Sequence, residues 1–262
     1  MNHLLELEKV SKRFGGVQAV DQVDFYADHG EIVGVIGPNG AGKTTLFNIV
    51  TGFYGPDTGK IHFDGSNLVG LKPNQITKVG IARTFQAVRL FGAMTVLENA
   101  MVGQHPRTRS GVFGALFHTN STKAEEERVQ ATAGAALDFF GDRLSPRLNS
   151  LASELAYADR RRLEIARAMA TEPKLLLLDE PAAGMNPAEK DGLIELIGRL
   201  RDEKGYSIVL IEHDMPVIRG VSDRVVALDY GKKIAEGTYD EVAANQQVIE
   251  AYLGKSATQE TA

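Results

Sequence analysis

Glu31-Ile32-Val33-Gly34-Val35-Ile36 leads directly into Gly37-Pro38-Asn39-Gly40-Ala41-Gly42-Lys43-Thr44, and then into Thr45-Leu46-Phe47-Asn48-Ile49. The first stretch reads as a short buried strand and the last as the opening of a helix. Between them stands the pattern G-x-x-x-x-G-K-[ST] in the context it requires, strand then loop then helix. Glycines at 37, 40 and 42 let backbone N–H groups curl around an anion, and the following helix offers its positive end. Residues 37–45, with Pro38, Asn39, Ala41 and Thr45 completing the loop, are therefore read as a cradle for a nucleoside triphosphate such as ATP. Lys43 is placed to bridge the β- and γ-phosphates and Thr44 to hold Mg²⁺ through its hydroxyl.

A second apolar strand, Leu175-Leu176-Leu177-Leu178, ends in Asp179-Glu180-Pro181. Acids at the carboxyl end of a buried strand stand where α/β folds bind their ligands. Asp179 suits the Mg²⁺ shell and Glu180 suits polarising an attacking water. A third strand, Ser207-Ile208-Val209-Leu210-Ile211, runs out into Glu212-His213-Asp214. His213 either contacts a γ-phosphate or caps the helix that starts near Met215.

Working outward, strand-like and helix-like segments alternate, which predicts an α/β core with a mostly parallel sheet. Leu4–Val10, Val17–Ala27 and Gly59–Gly65 read as an antiparallel β arm. Thr95–Val102 and Thr122–Phe140 have helical spacing and no strand signal, so residues 94–153 read as an inserted helical segment. The ATP-binding core with its β arm then takes 1–93 and 154–240, the last helices 238–254, and Lys255–Ala262 a frayed tail. His105–Ser121 is Gly-, Ser- and Thr-rich yet carries Val112, Phe113, Leu116 and Phe117, a loop tucking its own aromatics or a partner contact.

The 262 residues can form one domain with a substantial core, and 43% hydrophobic with 24% charged residues is ordinary for a globular chain. With 29 Lys and Arg against 34 Asp and Glu, a formal charge of −5 gives no bulk attraction to nucleic acid. No apolar run approaches the roughly 20 residues that cross a bilayer, and residues 1–15 lack the apolar stretch of a secretory signal. The absence of cysteine excludes disulfides and thiolate metal sites and suits a cytoplasmic setting.

Together these motifs resemble the ATP-binding cassette (ABC) subunits of ABC transporters from Leu4 to about Gly254. The resemblance implies a P-loop NTPase core with an antiparallel β subdomain and an inserted α-helical subdomain. It places the aromatic residue that stacks on adenine at Phe14, in Lys12-Arg13-Phe14-Gly15-Gly16, a residue otherwise read as core packing. The family's Mg²⁺-sensing glutamine, which also communicates with the membrane subunit, falls on Gln86 in Arg83-Thr84-Phe85-Gln86. The switch histidine falls on His213, and Asp179 and Glu180 keep the roles argued above.

The signature motif departs from the family's L-S-G-G-Q. Here the aligned stretch is Leu155-Ala156-Tyr157-Ala158-Asp159, followed by Arg160-Arg161-Arg162-Leu163-Glu164-Ile165-Ala166. The serine hydroxyl is missing, and Tyr157 and Ala158 put side chains where glycine permits close backbone approach. What survives is a helix N-terminus able to face an anion on a partner's nucleotide. The arginine run reads as a solvated helix face. Asn186 stands in the dimer loop where Asp is usual, keeping an acceptor and losing a charge.

By this resemblance two cassettes sandwich two ATP molecules, and the altered signature implies a second ABC ATPase subunit of different sequence. Two integral-membrane permease subunits and an external solute-binding protein complete the implied assembly, with this chain peripheral on the cytoplasmic side of the inner or plasma membrane. Arg89-Leu90-Phe91, Met94 to Asn99, the insert after His105, Ala182 to Pro187 and Ala251-Tyr252-Leu253-Gly254 resemble the cassettes of branched-chain amino acid import. A lipid or lipopolysaccharide exporter cassette is the nearest rival. A soluble ABC ATPase would carry two cassettes or a long coiled coil, and a small-molecule kinase would lack the pairing of Gln86 with His213.

Overall fold

The computed structural model describes residues 3–107 and 120–253. The aromatic part of the insert, Val112 to Phe117, lies outside the described residues, as do Gly254 and the tail. In chain order the elements are β1 (Leu5–Phe14), β2 (Val17–Ala27), β3 (Ile32–Ile36), α1 (Lys43–Val50), β4 (Thr58–Phe63), β5 (Ser66–Asn67), α2 (Pro73–Val79), β6 (Ile81–Arg83), α3 (Val96–Val102), α4 (Asn120–Asp138) and α5 (Tyr157–Met169). Then follow β7 (Leu175–Asp179), α6 (Pro187–Lys204), β8 (Ser207–Ile211), α7 (Met215–Val221), β9 (Arg224–Asp229), β10 (Lys232–Gly237), α8 (Tyr239–Ala243) and α9 (Gln246–Leu253). They form two compact units, one of residues up to Ile76 and from Leu177 onward, the other Thr77–Leu176.

The first unit carries the β arm as a sheet in the order β2-β1-β4-β5. Leu5 pairs with Ala27 and Phe63, and Leu7 with Phe25 and Ile61, so the alternate apolar residues of all three strands share one buried face. β1 runs past the Val10 expected from the sequence, to Phe14. A register shift beside Lys9, whose φ is 47°, re-aims the strand where polar residues break the alternation.

The second sheet of this unit is ordered β10-β9-β3-β8-β7. β3 is parallel to both β8 and β9, and every residue of β3, β7 and β8 is buried. Continuous apolar strands of this kind are what a parallel sheet covered on both faces requires. Because β3 and β8 point the same way, Gly37 and Glu212 emerge at the same end. The Glu180 N–H donates to the Ile211 carbonyl at 2.8 Å, which fixes the end of β7 there too.

In the second unit α3, α4 and α5 bury Ala100, Val129, Ala133, Leu137, Leu163 and Ala166. The helical segment expected over 94–153 lies within this unit. Thr95 opens α3 with a capping box, its hydroxyl accepting the Glu98 N–H while the Glu98 carboxylate accepts the Thr95 N–H. The wholly buried Asn99 accepts the Phe91 N–H and donates to the carbonyls of Phe91, Met94 and Thr95, which shapes the turn before α3. Gly103 ends α3 where a Cβ would stand 2.2 Å from the Arg167 carbonyl, so only glycine permits that close approach to α5.

Candidate functional site

The loop between β3 and α1 takes its shape from three left-handed glycines, Gly37 (φ 145°), Gly40 (φ 82°) and Gly42 (φ 101°). A Cβ on Gly37 would lie 2.1 Å from the Leu228 carbonyl and one on Gly42 2.3 Å from the Ala19 carbonyl, so the loop is held against β9 and β2 by backbone alone. The left-handed Gly42 is the N-cap of α1 and supplies no side-chain cap, which leaves the first amides of α1 for an outside acceptor. Lys43 is buried and arches over the loop, donating to the carbonyls of Gly37 at 2.7 Å and Pro38 at 3.0 Å. Burial pulls its ammonium below the usual lysine range, while the Glu180 and Asp179 carboxylates act the other way. Those two acids therefore stand within electrostatic reach of the loop.

Glu180 takes a left-handed backbone at φ 48°, a strained conformation for a residue with a Cβ. Its Oε1 is 3.0 Å from His213 Nε2. Of the two readings open for His213, the cap falls elsewhere: Asp214 is the N-cap of α7, accepting the Val217 N–H, and it also pairs with Lys190 of α6. Glu212, which the sequence reading passed over, is buried and accepts N–H bonds from Ala182 at 2.6 Å, His213 at 3.0 Å and Asp214 at 3.4 Å. Burial raises its carboxyl above the usual range, those backbone donors oppose the rise, and Glu180 adds to it.

Phe14 is 40% exposed and meets Tyr54 edge-on at 5.1 Å, which overturns the core-packing reading of that residue. Asn186 caps α6 in a capping box, accepting the Glu189 N–H while Glu189 accepts its own. Tyr252 of α9 was read in the sequence only as part of a stretch resembling one subfamily. Its hydroxyl accepts the Gly37 N–H at 2.8 Å, tying α9 to the first residue of the loop.

In the second unit, Arg161 is fully buried, which corrects the reading of the arginine run as a solvated face. Its guanidinium donates to the carbonyls of Phe85 at 2.7 Å and Gln86 at 2.8 Å and to Glu164 at 2.9 Å. Glu164 in turn accepts the Phe85 N–H at 3.3 Å. This ion pair clamps the backbone that carries Gln86. The i,i+3 spacing of Arg161 and Glu164 among Ala158, Ile165 and Ala168 was the available signal, since it puts both on the apolar side of α5. At the start of α5, Ala156 is an N-cap without a side-chain bond, Tyr157 is exposed and Ala158 buried. Asp159 is buried and paired with Arg162 at 2.8 Å and Arg147 at 3.3 Å, so its carboxylate is engaged within the unit.

The family model described as ABC transporter matches residues 20–183, and that for the branched-chain amino acid ATP-binding cassette transporter matches 232–258. The chain belongs to the ABC transporter family. Membership carries the cassette's activity with it, ATP hydrolysis coupled to transport. The high-affinity branched-chain amino acid transport ATP-binding protein LivG of Escherichia coli is 47% identical over 97% of this chain and 98% of its own length. BraF of Pseudomonas aeruginosa, of the same description, is 44% identical over the same shares. Among solved structures, a nucleotide-free ATP-binding cassette from an ABC transporter superposes with a TM-score of 0.84 at 32% identity, covering 97% of this chain and 100% of that one. A dimeric cassette in a post-hydrolysis state bound to ADP and Pi superposes with a TM-score of 0.72 at 25% identity, covering 90% and 98%. ABC cassettes of this kind work as dimers within transporter complexes.

Among the described residues no three His, Cys, Asp or Glu side chains converge as an all-protein metal cage, and no helix is long and apolar enough to cross a membrane. The donors present, the Thr44 hydroxyl and the Asp179 carboxylate, are hard oxygens. They fit Mg²⁺ held jointly by protein and phosphates.

Proposed function

We propose that this chain is the ATP-hydrolysing cassette of an importer for branched-chain amino acids. The observation that carries the reading is the near-full-length likeness to LivG, joined to a glycine loop whose lysine feels both Asp179 and Glu180. Backbone N–H groups within the 37–45 loop and the Lys43 ammonium grip the triphosphate, and Phe14 offers the exposed ring on which adenine stacks. Thr44 and Asp179 would hold Mg²⁺, which when bound would neutralise charge on the phosphates. Glu180 polarises the water, and His213, hydrogen-bonded to it, fixes its orientation beside the γ-phosphate.

Ala156 to Asp159 present the start of α5 to a partner's ATP, and Asn186 stands in the loop that meets the partner. The partner cassette is a chain of different sequence, and the two serve a pair of membrane permease subunits on the cytoplasmic face, fed by an external solute-binding protein. Purified with those subunits in vesicles, the complex is expected to show ATPase activity stimulated by leucine, isoleucine or valine bound to the solute-binding protein. Stimulation by a lipid instead of these amino acids would replace the importer reading with the exporter one.

A further inference from the structure

We propose that Glu212 is a positioning residue for hydrolysis, its buried carboxylate holding the Glu180 loop and the His213 segment in one geometry. One oxygen accepts the N–H of Ala182, two residues beyond Glu180, and the other accepts the N–H groups of His213 and Asp214. A single side chain thus bridges the turns that follow two neighbouring strands, β7 and β8.

The bridge acts on a residue that needs restraint. The left-handed backbone of Glu180 persists only where its surroundings over-determine it, and hydrogen bonds on both sides of it supply restraint. Before it, the Glu180 N–H is held by the Ile211 carbonyl; beyond it, the Ala183 N–H donates to the Glu180 carbonyl, and Ala182 is held by Glu212. On the far side, the same carboxylate orients the peptide of His213, whose ring meets Glu180. Glutamine offers one acceptor oxygen and turns an NH₂ toward backbone donors, so it cannot keep both sets of bonds. Aspartate keeps the charge but is one methylene too short to span both turns.

The inference rests on Glu180 acting on the water, and its test separates the two ideas. In the complex purified with its membrane subunits, Glu212→Gln is expected to lower kcat by about 10- to 100-fold, the effect of losing hydrogen bonds to a charged group. The KM for ATP should stay within about twofold, because the loop of residues 37–45 and its Lys43 are not touched. Combined with His213→Ala, it should add little further loss, since both act through the same pair. Should Glu212→Gln lose cooperative thermal unfolding, Glu212→Asp takes its place with the same expected split. Glu180→Gln runs in parallel: normal turnover there would remove the water-polarising role itself. An inactive Glu180→Gln beside a Glu212 variant with unchanged kcat, or losses from Glu212 and His213 that multiply, would overturn the role of Glu212 alone.

Discussion

On the proposed function two helix starts in this chain face phosphate, and they use opposite materials. At α1 the N-cap is a left-handed glycine in a loop with three such glycines, so bare amides are presented without side-chain cover. At α5 the N-cap is Ala156 in an extended conformation (φ −59°, ψ 156°), followed by an exposed tyrosine and a buried alanine, and the acid of the first turn is already paired with two arginines. Neither helix has a side-chain cap. The physical device proposed for both is therefore the same, the positive end of a helix without a side-chain cap, but α1 permits backbone contact where α5 would meet a ligand across Cβ atoms. Under that proposal grip falls to the first start and a looser fit to the second.

The largest effect expected from this contrast lies wholly on the α1 side. Glu180→Gln should cut ATP turnover by about 10²- to 10⁴-fold while nucleotide binding persists, as removal of a general base does. No substitution between Ala156 and Asp159 should approach that loss. A comparable loss from the signature turn in single-turnover measurements would erase the distinction between the two starts.

Next in size is the support under α5. Arg161→Met would leave Glu164 buried without its ion-pair partner, so unfolding by denaturant should show about 3–5 kcal/mol lost. A stability change below about 1 kcal/mol would mean that the clamp on Phe85 and Gln86 is dispensable to the fold. The smallest effect is a gain. Ala156→Ser with Ala158→Gly moves α5 toward the material of α1, and a restored N-cap is worth about 1 kcal/mol, or about fivefold in ATPase rate if it is felt in the transition state. Unchanged or lower activity in the assembled complex would show that the altered turn does not limit the site it completes.

The same contrast explains what could be read from the amino-acid order. The places of the glycine loop, Asp179 and Glu180 were legible because each stands at the end of a strand whose apolar run is unmistakable, whereas for His213 the residues alone left two readings open and the family resemblance chose between them. The antiparallel arm was legible from its alternation up to Val10, and was lost where the shift at Lys9 breaks the pattern. Glu212 and Tyr252 were hidden for one reason, while Arg161 was misread although its i,i+3 spacing to Glu164 on the apolar side of α5 gave a clue. Each of the three also bonds to backbone distant in sequence, Arg161 to Phe85 and Gln86, Glu212 to Ala182 and Tyr252 to Gly37, and no short motif records a partner tens or hundreds of residues away. Arg161, read as part of a solvated helix face, is buried here with its guanidinium bonded to the Phe85 and Gln86 carbonyls.

The central claim is that residues 37–45 grip a triphosphate through backbone amides and the Lys43 ammonium. Calorimetric titration of Mg-ATP into the full-length chain and its Lys43→Ala variant tests it directly. Affinity weaker by about 10- to 100-fold is expected for Lys43→Ala, the worth of charge-assisted hydrogen bonds to phosphate. Equal affinity in the two proteins would contradict it.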